Sequence, residues 1–146
     1  MIRILLIGIF VVYCSSEVNC QDEISWESNY DQESNEIILK AKLSDGWHIY
    51  SQNIDEDAGP IPTTIEFSPN ELVVLGKKIA EPEGKTVFDK NFNSTITYFD
   101  KEVQFVNKVR KIKKNTSING SVLFMICNDE GCLPPDVYEF EIEIKK

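Results

Sequence analysis

The chain has 146 residues, 42% of them hydrophobic and 27% charged, and 24 acidic side chains outweigh 15 basic ones for a net charge of −9. That length suits one domain built around one core. So acidic a surface repels a polyanion, which excludes nucleic-acid binding.

The first element is a leader. Arg3 is followed by an apolar run from Ile4 to Tyr13, the positive-then-apolar order of a secretory signal peptide. The run is too short for a permanent membrane span, which needs roughly 20 apolar residues. Val18 and Cys20 are small enough to precede a cleavage site, so the expected cut follows Cys20. Residues 1–20 are then the signal peptide and 21–146 the mature domain. Cys14 is an alternative lipid-anchor site, although Val12 and Tyr13 before it suit that poorly. No second apolar stretch is long enough to cross a bilayer. The mature chain is therefore expected to be exported, periplasmic or secreted, monomeric and without a transmembrane segment.

From Ile37 onward the pattern is strand after strand. "NEIILKAKL" alternates at Ile37, Leu39, Ala41 and Leu43, and "WHIYSQ" follows a turn at Asp45-Gly46. "PTTIEF" and "ELVVLG" are short apolar runs. "STITYF" and "KEVQFVNKV" alternate again, the latter at Val103, Phe105 and Val109. "GSVLFMI" runs into Cys127, and "VYEFEIEI" alternates at Tyr138, Phe140, Ile142 and Ile144 with glutamates between. Period-two alternation buries one face and wets the other. With turn signals about every ten residues and no amphipathic helix, the pattern predicts an all-β antiparallel sandwich. Two stretches read as long loops, 53–62 and 81–93. The second carries Phe88 and Phe92 in a polar setting, either tucked under the loop or offered to something.

Cleavage leaves two cysteines, Cys127 and Cys132, inside "MICNDEGCLPP". The residues between them are turn formers and acids, which is hairpin chemistry. A hairpin sets its flanking residues about 4.5–5.5 Å apart at Cβ, near enough for a disulfide after modest adjustment. A bridge across so short a loop stabilises the fold by only about 2 kcal/mol in the loop-closure picture, so stability alone is a weak reason for it. Pro134 and Pro135 lack amide donors and delay strand pairing until Asp136 or later. That leaves Cys132 in irregular backbone, within a partner's reach.

A structural zinc site needs four ligands, and the mature chain offers two cysteines and His48, so no metal is expected. A hydrolytic cysteine needs a base and a depressed thiol pKa. Asp129 and Glu130 work against a thiolate, and neither lysine nor arginine adjoins the motif in sequence. The pair suits exchange with a partner whose own cysteine is activated, and that requires no cofactor.

At these residues the chain resembles the amino-terminal, immunoglobulin-like domain of the thiol:disulfide interchange protein DsbD. Cys127, Asp129, Gly131, Cys132, Leu133, Pro134 and Pro135 match that family's cysteine, acidic glycine-bearing turn, second cysteine, bulky residue and Pro-Pro. The turn is a residue shorter than in the best-known member. "DGWHIYSQNI" resembles the segment whose aromatics back the active site, with Trp47, His48 and Tyr50 in it. "PEGKTVFDKNF" lies where the family has a cap loop, with Phe88 or Phe92 as the cap. The resemblance implies an immunoglobulin-like β-sandwich that relays reducing equivalents. It would draw them from a membrane electron donor with a cysteine pair and deliver them to thioredoxin-like exported proteins. It also implies that Cys132 forms the mixed disulfide and Cys127 resolves it. The competing reading is a non-catalytic binding module braced by a structural hairpin disulfide, which fold alone cannot separate from a relay.

Overall fold

The computed structural model describes residues 23–89 and 92–146. The leader, its cleavage site and Cys14 lie outside the described residues.

Eleven strands are arranged among the described residues: β1 (Ile24–Asp31), β2 (Glu36–Leu43), β3 (His48–Tyr50), β4 (Thr64–Phe67), β5 (Val73–Ala80), β6 (Lys85–Asp89), β7 (Ser94–Asp100), β8 (Glu102–Ile112), β9 (Thr116–Phe124), β10 (Ile126–Cys127) and β11 (Asp136–Ile144). A 3₁₀ turn, Glu56–Ala58, lies between β3 and β4. Every strand pairing is antiparallel, in sheets ordered β1-β2-β8-β5, β10-β3-β7-β6 and β11-β9-β4. This is the expected all-β immunoglobulin-like sandwich. No described helix is long and apolar enough to cross a membrane.

Alternation explains the first layer. Leu39 lies opposite Phe105 and Ala41 opposite Val103, and all four are buried. The same row places Asn107 opposite Ile37, inside the core. A buried amide needs partners, and a bulge in β5 supplies them. Gly76 N donates to Asn107 Oδ1 at 3.0 Å, and Asn107 Nδ2 donates to Gly76 O at 3.3 Å. Ile118, Val122 and Phe124 of β9 and Phe140, Ile142 and Ile144 of β11 face this layer. Gly120 interrupts the β9 row because a Cβ there would lie 2.5 Å from Phe140 Cζ and 2.4 Å from the Glu66 carbonyl oxygen.

Three features differ from the sequence expectation. Strands begin at Ile24, not Ile37: Trp26 of β1 stacks on Tyr138 with centroids 5.5 Å apart and packs at 5.4 Å from Phe124. The stretch 81–93 is not all loop, since β6 pairs along β7 as the edge of its sheet. The run "GSVLFMI" is two strands: β9 belongs to the sheet with β11 and β4, and after Met125 the chain passes as β10 into the sheet with β3. That switch places the first cysteine on a different sheet from the strand that leads to it.

Candidate functional site

Strand parity builds the site. β3 lies between β10 and β7. Its middle residue, Ile49, pairs with Ile126 and Phe99 and faces the main core with them. His48 and Tyr50 must then face the other way. Cys127 pairs with His48 on one side and Asp100 pairs with it on the other, while Tyr98 pairs with Tyr50. This second face has its own apolar cluster of Tyr50, Ile54, Ala58, Ile96 and Cys127, with Tyr98 and Met125 against it.

Ile54 and Ala58 arrive on the loop after β3, which is held at several points. Thr63 Oγ1 donates to Tyr50 O at 2.5 Å, and Ser94 Oγ donates to Ala58 O at 2.6 Å. The Glu81 carboxylate accepts from Ser51 Oγ, from Gln52 N at 3.0 Å, from Gln52 Nε2 at 3.3 Å and from Asn53 Nδ2 at 2.6 Å. Asp55 caps the 3₁₀ turn, and Gly59 ends it at φ 108°, a backbone setting that favours glycine. The Gly59 backbone lies directly against Phe92: a Cβ there would be 2.2 Å from Phe92 Cδ1.

The cysteine hairpin closes the site. Cys127 and Cys132 form a disulfide with Cα atoms 4.0 Å apart, and they are also partners in an isolated antiparallel bridge. Asn128 organises the turn: its amide donates to Gly131 O at 2.9 Å, and its side-chain oxygen accepts from Glu130 N at 2.8 Å and Gly131 N at 3.0 Å. Leu133 N donates back to Ile126 O at 3.0 Å. Pro134 and Pro135 follow, both exposed, and β11 pairs only from Asp136. Cys127 is 3% exposed, whereas Cys132 is exposed. One side of the bridge is sealed and the other faces solvent.

A cavity of about 330 Å³ runs along the bridge, lined by His48, Tyr50, Asp89, Phe92, Asn128, Asp129, Glu130, Gly131 and both cysteines. His48, Tyr50, Phe92, Asp129 and Gly131 are thus gathered with Cys127 and Cys132. Trp47 is not among these residues; it packs against the main core. Phe88 lies on the face of β6 turned away from this cavity. Asp89 and Val87 pair with Ser94 and Ile96, on the site's face, so Phe88, opposite Thr95, points to the other face and is 61% exposed. Between the two aromatics of that segment, Phe92 is the one that lines this cavity. Asp89 and the Gly59 contact were not read from sequence; an alternation count through "KTVFD" carries the signal for Asp89.

The surroundings are acidic and half-dry. Asp89, Asp129 and Glu130 line the cavity, and no lysine or arginine lines it among the described residues. Such a rim opposes thiolate formation on either cysteine. Burial holds the His48 imidazole below its usual value, against the opposing pull of Asp89, Asp129 and Asp100. Burial, aided by Asp89, pushes the Tyr50 hydroxyl up to about 12. His48 Nε2 and Tyr50 Oη are 3.2 Å apart, and the His48 ring sits 4.7 Å from that of Tyr98. Among the described residues no group of three His, Cys, Asp or Glu side chains is placed to hold a metal ion. The disulfide itself lines the cavity.

Comparison with known proteins gives the family and supports the fold. The family described as "Thiol:disulfide interchange protein DsbD, N-terminal" matches residues 18–144. The Neisseria meningitidis DsbD N-terminal domain in its reduced form is similar, with a TM-score of 0.65 at 16% identity, over 88% of this chain and 91% of that one. The DsbD N-terminal domain of the same organism in complex with the PilB N-terminal domain gives a TM-score of 0.60 at 15% identity, over 81% and 80%. The N-terminal periplasmic domain of ScsB from Proteus mirabilis gives 0.54 at 15% identity, over 81% of this chain and 44% of that one. No curated protein sequence matches the chain.

Proposed function

The chain belongs to the family of DsbD amino-terminal domains, and from that premise we propose that it is an exported carrier of reducing equivalents acting through Cys127 and Cys132. The observation that carries the reading is the asymmetry of the bridge: Cys127 is buried at 3% exposure and Cys132 is open to solvent in the same short hairpin. A partner thiolate or disulfide can approach only the exposed sulfur, so Cys132 forms the mixed disulfide. Cys127, held beside it, resolves that intermediate and releases the partner.

The donor is a membrane protein with a cysteine pair, and the acceptors are thioredoxin-like exported proteins. The complex formed by the Neisseria meningitidis DsbD and PilB N-terminal domains supports a docked protein partner. The acidic rim supports an activated cysteine on the partner's side, because this site disfavours its own thiolate. Residues 1–20 are the export signal and 21–146 the working domain, in the periplasm or outside the cell. Phe92, seated on Gly59 and lining the cavity along the bridge, is the cap that covers the bridge on the cavity side and moves aside for a docking partner. His48 and Tyr50 back the pair, and Pro134 and Pro135 keep Cys132 out of the sheet.

Cys127→Ser tests the assignment. Reduced Cys127→Ser, mixed with an oxidised thioredoxin-like protein, should accumulate a mixed disulfide at Cys132 that is stable until dithiothreitol is added. Cys132→Ser should accumulate none. Equal trapping by the two variants would contradict the assigned roles.

A further inference from the structure

His48 is the only histidine in the chain, and it stands directly across the strand pair from Cys127. Antiparallel cross-strand partners bring their side chains to about 4.5–5.5 Å at Cβ, and both residues line the cavity along the disulfide. Resting on the exchange reading above, we propose that His48 is the proton acceptor for the Cys127 thiol when the reduced domain passes electrons to a partner disulfide.

The resolving step needs such a group. After Cys132 has attacked, it is disulfide-bonded to the partner, and Cys127 must attack the Cys132 sulfur. The thiolate, not the thiol, is the nucleophile. Cys127 is buried beside Tyr50 and Ile96 and faces an acidic rim, and both features favour the thiol. A base on the cross-strand partner of Cys127, lining the same cavity, removes that obstacle. The Cys127 proton passes to the imidazole, and the Cys127 sulfur bonds to the Cys132 sulfur. The Cys132–partner bond breaks, and the partner leaves as a thiolate that takes up the proton. The domain's two thiols are oxidised and the partner's disulfide is reduced, so two electrons and two protons move together.

The neighbours of His48 suit this role. On its own strand, Tyr50 Oη meets Nε2, so in the tautomer protonated there the ring donates to Tyr50 and Nδ1 is the acceptor nitrogen. From β7 come Tyr98 and Asp100, and the Asp100 carboxylate is bound by Lys85 of β6 at 2.5 Å. Asp89 faces it from β6, and Asp129 and Glu130 from the hairpin. Burial keeps the ring neutral, as a base must be, and the three aspartates that pull the other way stabilise the imidazolium formed in passing.

The test separates the two sulfur steps. Reduced residues 21–146 react with dithiodipyridine, which releases one coloured thione when Cys132 attacks and a second when Cys127 resolves. Stopped-flow traces across pH 5 to 9 are compared for wild type and His48→Gln. We expect the second release to slow at least ten-fold near neutral pH in the variant and to lose its inflection in the histidine range, while the first release keeps its rate. An unchanged second release, in rate and pH profile, would overturn the proposal. A wild type that releases only one equivalent would instead overturn the exchange reading beneath it. Should His48→Gln fail to fold, nuclear magnetic resonance titration of the single imidazole in wild type serves: its pKa should differ between dithiol and disulfide states, and identical titrations would refute the coupling.

Discussion

Gly59→Ala probes the proposed capping role of Phe92 without removing any atom from that side chain. The added methyl would lie 2.2 Å from Phe92 Cδ1, 2.8 Å from Cγ and 3.0 Å from Cβ, whereas ordinary contact begins at 3.4 Å. The near edge of the ring must retreat by about 1.2 Å to reach that limit. Side-chain rotation alone does not clear the overlap, because Phe92 Cβ is itself too close and is tied to the backbone. The cap segment must lift. Phe92 is half-buried, so its contact on the site contributes about 1 kcal/mol at the usual value for apolar area. Removing that preference raises the uncapped population about five-fold. Dithiothreitol should therefore reduce the Cys127–Cys132 bridge about five times faster in Gly59→Ala than in wild type, as followed by counting free thiols in quenched samples. Phe92→Ala should give an increase of similar size. Alanine at φ 108° also strains the backbone by roughly 1–3 kcal/mol, so rates are taken well below the unfolding transition. Wild-type reduction rates in both variants would refute the idea that Phe92 guards the bridge.

Other consequences concern the scaffold under the site. Tyr50 should show itself as a tyrosinate absorbance step near 12 that Tyr50→Phe removes. Because its folded pKa is raised, its contribution to stability is present below about pH 10, the unfolded value, and is lost as pH rises toward about 12. Glu81→Ala strands four donors, one of them on the buried Ser51, and should cost about 2 kcal/mol in urea unfolding; a loss under about 0.5 kcal/mol would mean that water replaces the carboxylate without penalty. Trp26→Ala removes the ring that ties β1 to Phe105, Phe124 and Tyr138 and should cost about 3–5 kcal/mol in the same assay. A cost near that of a surface change would show that β1 is not part of the core.

Much of the fold was legible because its central strands obey alternation. β2, β8 and β11 each bury one face, and Ile37, Leu39, Phe105, Phe140 and Ile144 were readable as inward positions. β1 escaped because the polar Ser28 interrupts the inward row of Ile24, Trp26 and Tyr30. β6 escaped for a physical reason: as an edge strand that is exposed from Lys85 to Phe88, it has no dry face to announce. The sheet switch at Met125 is invisible to periodicity, since the residues on both sides of it are apolar. In the site, the cysteine hairpin and its two prolines were local and therefore readable. Which of Phe88 and Phe92 lines the cavity was not, because the facing of Phe88 depends on the register of β6 against β7. The contact of Gly59 with Phe92 and the clamp at Glu81 join segments far apart in sequence, and no local pattern encodes them.

The central claim is that the Cys127–Cys132 bridge is made to be opened. Its most direct test is equilibration of residues 21–146 in graded glutathione and dithiothreitol redox buffers, with the free thiols of both cysteines counted at each step. A reversible two-electron transition at roughly −120 to −270 mV, the range of exchange proteins, is the expected result. A bridge that stays closed to well below about −300 mV would mark a structural brace and contradict the account.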